Sequence, residues 1–204
     1  SKYNPENVYV GSNVIHLTKD KAVNWDVISP DLTRQLLKED EEKAEIPGGP
    51  IQNDATGVEV YSSIFSLEES PHNEGEIWVG SDDGLIHITR NGGDSWENIT
   101  PEKIIPFQGT VNKIELSSHQ PGRAIAAVYN YRNNDPRPYI ILTNDFGKNW
   151  KLISQDNGIP SDHFVRAVAE DPARKGLIYA GTEFGIYVSF DDGKSWNSLQ
   201  MNLP

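Results

Sequence analysis

A short motif recurs along the chain, and this repetition constrains the fold more than any other feature. Each copy has Ser or Thr, then Asp or Asn two residues on, Gly two further and Trp three further. Three copies fit this pattern, Thr89–Trp96, Thr143–Trp150 and Ser189–Trp196. A fourth, Thr18–Trp25, carries Ala22 at the glycine position. Such self-similarity predicts one supersecondary unit used several times.

Each residue type in the motif suits a hairpin turn. Gly tolerates the positive φ that tight hairpins need. Asp or Asn accepts hydrogen bonds from backbone N–H groups of its own turn, and Trp buries a large ring while its N–H finds an acceptor. We therefore expect structural roles, not catalysis or metal binding, for these positions: Thr89, Asn91, Gly93, Trp96, Thr143, Asp145, Gly147, Trp150, Ser189, Asp191, Gly193 and Trp196.

The residues before each motif also repeat and read as short strands. Asn7–Gly11, Glu76–Ser81 and Gly176–Gly181 are β-branched or aromatic runs that end in turn residues. We label the four strands of a unit A to D, and strand D begins at the motif Trp. Strand A is predicted at Val60–Leu67, Val111–Ser117 and Phe164–Ala169. Strand C is predicted at Val14–Thr18, Leu85–Thr89, Tyr139–Thr143 and Gly185–Ser189.

These units predict an all-β fold, a β-propeller of four-stranded antiparallel blades. The motif tryptophans are 71, 54 and 46 residues apart, so the shortest interval fits one blade and the others carry insertions. We assign residues 1–204 to one propeller segment. Its predicted parts are a partial blade 1 (6–34), an insertion (35–57), blade 2 (58–101), blade 3 (102–154) and blade 4 (155–204).

Too few residues precede strand B of blade 1 to form a strand A. We therefore expect about four blades with fifteen strands in total. The open edge needs cover. We expect the remaining blades of a larger propeller, from a parent or partner chain, to complete the ring. The alternative is an arc that closes on itself or pairs with a copy of itself.

Composition narrows the function classes. Hydrophobic residues make up 36%, with 17 Gly and 13 Pro, which favours many short strands over a helical bundle. The net charge of −12 argues against a nucleic-acid partner. The absence of cysteine excludes disulfides and thiolate sites. No run of 18 apolar residues occurs, so we predict no transmembrane segment.

The repeated motif resembles the bacterial neuraminidase repeat, or Asp box, of sialidases, sortilin-type receptors and some glucan-cleaving hydrolases. Longer stretches are similar to exported bacterial proteins described as sortilin-like or glycosyl-hydrolase-like; they are Trp25–Thr33, Gly48–Pro50, Ser81–His87 and Tyr179–Gly193. The resemblance covers nearly the whole chain. It is specific for fold and weak for activity, and it implies a secreted, periplasmic or cell-surface location.

In this architecture the D–A and B–C connections share one face, opposite the motif turns, and function usually lies on such loops. Asp82, Asp83 and Glu183 fall in B–C loops and are the catalytic candidates. Two facing carboxylates are what glycoside hydrolysis requires. The alternative is that Asp82 and Asp83 are ordinary turn residues before Gly84.

The B–C loop of blade 3 is much longer than its counterparts and supplies most ligand-binding candidates. Arg132 and Arg137 suit an anion or carboxylate, and Tyr131 and Tyr139 suit a sugar ring or peptide. Asp135 lies in the same loop, and His163 lies on the connection that leads to blade 4. Alternatively, the Arg and Tyr side chains only brace the loop.

The segment Leu32–Glu45 has high helix propensity and alternating charges, so we expect a short solvated helix or a loop. Four residues after this segment either line the mouth of the central channel of the propeller or form a plain linker: Gly48, Gly49, Asn53 and Asp54. No His/Asp/Glu set has zinc spacing, and no Gly-rich phosphate loop precedes a helix. We therefore predict no metal site and no cofactor. Calcium is compatible with the acidic loops, although no ligand spacing specifies it.

Three functions remain open at this point. The first is an exported scaffold or binding module for a glycan, peptide or protein. The second is a glycoside hydrolase, and the third is a non-catalytic half of one. The positions and partners of Asp82, Asp83, Glu183 and Asp135 distinguish them, because a hydrolase needs carboxylates that face a shared cleft.

Overall fold

The computed structural model describes residues 1–34 and 61–200, and these ranges form an all-β protein. Fifteen strands make four antiparallel sheets, one three-stranded and three four-stranded. The strands are β1 (Val8–Gly11), β2 (Ile15–Thr18), β3 (Asp26–Val27), β4 (Ile64–Glu69), β5 (Ile77–Ser81), β6 (Ile86–Thr89), β7 (Glu97–Asn98), β8 (Thr110–Leu116), β9 (Ala124–Asn130), β10 (Asp135–Thr143), β11 (Trp150–Leu152), β12 (Val165–Glu170), β13 (Ile178–Thr182), β14 (Gly185–Ser189) and β15 (Asn197–Ser198).

Each sheet is one blade, because its strands follow chain order. Blade 1 is β1–β2–β3, blade 2 is β4–β5–β6–β7, blade 3 is β8–β9–β10–β11 and blade 4 is β12–β13–β14–β15. Blade 1 thus has the counterparts of strands B, C and D only. The predicted all-β propeller, with four blades of which the first is incomplete, is confirmed for the described residues.

Most predicted strand boundaries shift by one or two residues, and two strands begin four residues from the predicted start. The strand predicted at Val60–Leu67 is β4, which begins only at Ile64. The strand predicted at Tyr139–Thr143 is longer, because β10 already begins at Asp135, after a single 3₁₀ turn at Tyr131–Asn133. A bulge between Asp135 and Tyr139 interrupts its pairing with β9. Most of the presumed long loop is therefore strand. The predicted helix and the mouth residues Gly48, Gly49, Asn53 and Asp54 fall outside the described residues, apart from the first positions of the helix.

A bulge recurs at the same end of each complete A–B pair. The register shifts between Ile64 and Ser66 in blade 2, between Val111 and Lys113 in blade 3, and between Val165 and Ala167 in blade 4. Bulges bend a strand and strengthen its twist. They lie where strand A begins beside the end of strand B, which is the face that carries the B–C loops.

The turns between strands C and D are held by the side chains of the repeated motif. In blade 3, Thr143 Oγ1 donates to Asp145 Oδ1 (2.9 Å), and Asp145 Oδ1 also accepts from the backbone N–H of Asn149 (2.9 Å). Blade 2 does the same with Asn91, and blade 4 with Asp191. The motif therefore closes its own hairpin with local hydrogen bonds.

The motif tryptophans join successive blades. The indole N–H of Trp96 donates to the carbonyl of Ile28, and that of Trp196 to the carbonyl of Ile153. The apolar cores lie between the sheets, so that one cluster combines Trp78 and Ile88 of blade 2 with residues of blade 3. Packing across each blade boundary fixes the positions of the loops at the ends of the strands.

Candidate functional site

The mouth face is formed by the B–C loops and by the beginnings of the A strands. In blades 2, 3 and 4 the A strand pairs antiparallel with strand B, so Ile64 lies opposite Ser81, Thr110 opposite Tyr129 and Val165 opposite Thr182. Residues that precede strand A and residues that follow strand B are consequently neighbours.

Asp82 is buried at the mouth of blade 2, with 2% of its surface exposed. Its backbone N–H donates to the carbonyl of Ser63 (2.9 Å), and its carboxylate accepts from the N–H of Ser63 (2.8 Å). Burial raises the pKa of Asp82 to about 7. The carboxyl group therefore changes protonation near neutral pH, which is unusual for an aspartate.

Asp83 is fully buried and bonded on both oxygens. It accepts from Ser81 Oγ (2.5 Å) and from the backbone N–H of Arg34 (2.8 Å), while Arg34 Nε donates to its carbonyl (2.8 Å). Arg34 is the last described residue of blade 1. Asp83 therefore fastens the exit of blade 1 to blade 2, and its oxygens are already engaged.

Two hydroxyl groups beside Asp82 are buried without a partner. Tyr61 and Ser62 are 7% and 6% exposed, and neither Tyr61 Oη nor Ser62 Oγ makes a hydrogen bond within the described part of the chain. Burial, followed by the charge of Asp82, raises the pKa of Tyr61. Buried hydroxyls normally have partners, so this pair offers unused hydrogen-bonding capacity next to a titrating carboxyl.

The 3₁₀ turn of blade 3 presents Tyr131 and Arg132. The ring of Tyr131 stacks on Phe164 of blade 4, with centroids 4.5 Å apart and planes inclined by 22°. Hydrogen bonding first from Arg132 and then from Arg166 lowers the pKa of Tyr131. Arg132 also interacts electrostatically with Asp82. The positive charge of Arg132 thus lowers the pKa of Asp82, although burial outweighs it.

Arg166 of blade 4 is held in a fixed position by aromatic rings and a carboxylate. Its guanidinium lies 5.4 Å from the ring centroid of Tyr129, 5.3 Å from Tyr131 and 5.1 Å from Phe164. Its Nε donates to Glu183 Oε2 at 2.6 Å. Cation–π contacts and the ion pair together orient the group.

Asp135, Arg137 and Tyr139 bind one another. Arg137 Nε and Nη2 donate to the two oxygens of Asp135 (2.8 and 2.9 Å), and Tyr139 Oη donates to Asp135 Oδ2 (2.8 Å). Hydrogen bonding from Arg137 lowers the pKa of Asp135 to about 2. These contacts match the alternative interpretation, in which the side chains brace the loop.

His163 lies beside the B–C loop of blade 4. Its Nδ1 is 2.9 Å from Tyr187 Oη, and its ring centroid is 4.6 Å from that of Phe184. Asp162 approaches Nε2 at 3.9 Å. His163 is therefore held by residues of blade 4. In the sequence it precedes Phe164, whereas Arg166 follows Phe164.

The structure brings four of the sequence candidates, Asp82, Arg132, Tyr131 and Glu183, together with Arg166. We call these five residues the mouth row. In it two carboxyl groups flank two guanidinium groups, with the tyrosine ring between the cations. Sequence reasoning missed four residues, because all lie within predicted A strands and single strand residues carry no motif: Arg166, Phe164, Tyr61 and Ser62. Among the described residues no group of three or more His, Asp or Glu is arranged to hold a metal ion. No helix in the described ranges is long and apolar enough to cross a membrane.

Comparison with known proteins adds to this geometry. No protein-family model matches the chain. An oligoxyloglucan-reducing end-specific xyloglucanase of Emericella nidulans is 25% identical over 126 residues, which are 62% of this chain and 15% of that enzyme. The chain therefore spans a small part of the length of this relative.

Solved structures agree on the architecture. An ancestral GH74 enzyme superposes on 98% of this chain and 23% of its own, with a TM-score of 0.66 at 18% identity. The GH74 xyloglucanase from Xanthomonas campestris superposes on 96% of this chain and 28% of its own, with a TM-score of 0.68 at 15% identity. YCF48 from Cyanidioschyzon merolae superposes on 66% of this chain and 39% of its own, with a TM-score of 0.52 at 22% identity.

The chain is a β-propeller segment. The likeness to much longer GH74 proteins supports this fold over almost the whole chain. At these identities the likeness to solved structures shows the fold alone, so the chemistry has to come from the mouth row.

Proposed function

We propose that this chain is a ligand-binding segment of an exported β-propeller and that it holds a glycan at the mouth face. The observation that carries the proposal is the mouth row. Its side chains in blades 3 and 4 are in contact, and a charge interaction connects Arg132 with Asp82 of blade 2. Arg166, fixed by three rings and Glu183, is its most firmly held member. Binding sites of this kind combine a rigid scaffold with a few oriented polar groups.

A glycan fits the chemistry of the row. Sugar hydroxyls both donate and accept, and the row offers the exposed carboxylate of Glu183 as an acceptor and the exposed guanidinium of Arg166 as a donor. The xyloglucanase of Emericella nidulans, whose name states a glycan substrate, supports the same ligand class. The exposed ring of Phe184, next to Glu183 in the B–C loop of blade 4, supplies apolar surface.

The carboxylates favour binding over hydrolysis. Asp83, Glu183 and Asp135 are each engaged by a cation or hydroxyl of their own surroundings. A glycosidase needs two carboxyl groups that face the same bond. Within residues 1–34 and 61–200 only Asp82 combines burial with a strongly raised pKa.

We also infer that further propeller blades cover the free face of blade 1. Val10 pairs with His16 in blade 1 as Val79 pairs with His87 in blade 2. Val79 is buried against blade 1, whereas Val10 is exposed. An exposed copy of a buried interface position is best explained by a neighbouring blade.

The proposal is tested by titrating xyloglucan oligosaccharides and uronic-acid oligosaccharides into the protein in a calorimeter. We expect saturable binding of one class, and a loss of about tenfold or more in affinity for Arg166→Gln, since a charge-assisted hydrogen bond is removed. Arg137→Gln is the matched control and leaves binding unchanged. Binding that Arg166→Gln leaves intact, or binding only of peptides, contradicts the proposal.

Glycoside hydrolysis is the second candidate, favoured by the raised pKa of Asp82, which suits a general acid. In that case the release of reducing ends from xyloglucan disappears in Asp82→Asn while the variant still binds the glycan. If wild type releases no reducing ends, the binding function alone remains.

A further inference from the structure

The grooves between successive blades differ in one respect, and the difference points to a second binding site. Each groove lies between the residues that follow strand D of one blade and the motif turn of the next. Between blades 3 and 4 the chain itself fills this groove with residues 155–158. The corresponding groove between blades 1 and 2 is open and measures about 380 Å³, lined by residues 27–30 and 92–94. Between blades 2 and 3 a larger groove of about 710 Å³ stays open, lined by residues 97–104 and 147–150. This volume lies within the ~300–1,000 Å³ typical of ligand sites.

The filled groove shows which contacts an occupant makes. The backbone N–H of Trp196 donates to the carbonyl of Asn157 (2.8 Å). Asn157 Nδ2 donates to the carbonyls of Ile153 and Gly193, both at 2.9 Å. Gly158, at φ 125°, passes so close that a side chain there would collide with the carbonyl of Trp196. An Asn followed by Gly therefore satisfies both the strand edge and the turn.

The open groove presents the same groups. Ile153 and Ile99 hold corresponding positions, because each donates its N–H to strand C of its own blade. Trp150 pairs with Thr143 and lies three residues before Ile153. Because N–H groups alternate in direction along an antiparallel strand, the N–H of Trp150 points away from β10. The carbonyls of Ile99 and Gly147 correspond to those that Asn157 binds. The edge of β11 thus offers an outward donor beside two acceptors.

The sequence explains why this groove is open. After Ile153 the chain continues Ser-Gln-Asp-Asn-Gly, whereas after Ile99 it continues Thr-Pro. Pro101 starts a turn in which the N–H groups of Ile104 and Ile105 donate to its carbonyl (2.8 and 3.2 Å). The turn withdraws the connection from the edge of β11, so no residue takes the place of Asn157.

We propose that the open groove binds an extended peptide segment of a partner protein that carries an Asn-Gly pair. Such binding adds a short strand-like segment to a free sheet edge, with the Asn side chain supplying specificity. Glu97 and Glu102 balance Lys103 and Lys148 along the groove, which suits an uncharged occupant. This site is separate from the mouth row and does not depend on the proposed glycan function.

The probe is a capped peptide, Ile-Ser-Gln-Asp-Asn-Gly-Ile, which copies residues 153–159. Titrated into ¹⁵N-labelled protein to millimolar concentration, it is expected to shift the backbone amide of Trp150 and signals around Gly147 in a saturable way. Signals of Trp196 stay in place, because that groove is filled. A peptide with Asn→Ala binds about tenfold more weakly, since two hydrogen bonds are lost.

Two protein variants complete the experiment. Lys148→Trp places a bulky side chain over the open groove and abolishes binding. Lys194→Trp, the same change in the motif turn of blade 4, leaves the affinity unchanged. The proposal is overturned if no saturable shift appears, if the Ala peptide binds equally well, or if the shifts lie outside the open grooves between blades 1 and 2 and between blades 2 and 3. The peptide comparison decides the matter even if Lys148→Trp fails to fold.

Discussion

The indole N–H of Trp150 donates a hydrogen bond to the carbonyl oxygen of Ile99 at 2.9 Å, across the boundary between blades 2 and 3. The same bond occurs at each boundary between blades in the described residues, always from a motif Trp to the residue that follows strand D of the preceding blade. The Trp therefore serves two elements at once, since it lies at the start of strand D or just before it and joins its blade to the previous one.

The first prediction concerns this bond. Trp150→Phe removes the donor and leaves the buried carbonyl of Ile99 without its partner, so the free energy of unfolding falls by about 1–3 kcal/mol. Chemical denaturation followed by circular dichroism measures the change. Trp25→Phe is the control, because the indole of Trp25 makes no hydrogen bond to another blade in the described part of the chain. Equal losses for the two variants would contradict the interpretation.

The second prediction separates backbone strain from packing in the motif turns. Gly147 and Gly92 both have positive φ, 78° and 70°. A Cβ at Gly147 would lie 2.5 Å from Ile99 Cδ1, whereas nothing lies within 4 Å of a Cβ at Gly92. Gly92→Ala is expected to destabilise by about 1 kcal/mol and Gly147→Ala by about 3 kcal/mol. Thermal unfolding measures both losses of stability. Equal losses for Gly92→Ala and Gly147→Ala would refute the prediction.

The third prediction follows from the pKa of Asp82. Because its folded-state pKa, about 7, exceeds the unfolded value of 3.8, the folded state binds the extra proton between pH 4 and 7. Its contribution to stability is present below pH 4 and is lost as pH rises through 7. Asp82→Asn abolishes this loss. The free energy of unfolding of the variant therefore rises relative to that of wild type by up to about 4 kcal/mol between pH 4 and pH 8.

Denaturation curves at several pH values test this change in relative stability. Asp191→Asn is the control, since hydrogen bonding from Ser195 lowers the pKa of Asp191 to about 2. The contribution of Asp191 to stability is present above pH 3.8 and is lost only as pH falls toward 2. The stability difference between Asp191→Asn and wild type therefore stays constant from pH 4 to pH 8. A pH-independent difference between wild type and Asp82→Asn would refute the assignment.

The fourth prediction concerns a buried ion pair between blades 3 and 4. The side chain of Arg123 is 1% exposed and bonds to Glu170 (2.8 and 3.0 Å), to Asn144 (2.9 Å) and to Asp192. Arg123→Ala leaves Glu170 buried and unpaired, so we expect a loss of about 3–5 kcal/mol. Arg137→Ala, at a side chain that is 65% exposed, costs less than about 1 kcal/mol. Comparable unfolding free energies for the two variants would be the contrary result.

The fold could be predicted from the sequence because its signals are local. A turn motif with Gly at a left-handed position and Asp or Thr as hydrogen-bonding partner is complete within eight residues, and it repeats. Alternating strands on both sides fix the blade. The bounds of β10 were missed because a strand with two prolines and a bulge lacks that alternation.

The candidate site was only partly accessible in this way. Asp82, Arg132, Tyr131 and Glu183 were selected because they lie on mouth loops, but their relations to one another depend on Arg166 and Phe164. Phe164 precedes strand A of blade 4 and stacks on a loop residue of blade 3, which is 33 positions earlier in the chain. Contacts between residues so far apart follow from how sheets pack, which no local pattern contains.

The sequence by itself determined the repeated hairpins, their turn chemistry and the number of blades, because each of these depends on neighbours within a few residues. Only the tertiary structure decided that Asp83 is a bonded anchor, that Asp82 is a buried acid with a raised pKa, and that one blade boundary is filled while the next is open. Burial and pairing depend on which surfaces meet across blades, and that is set by the packing of whole sheets.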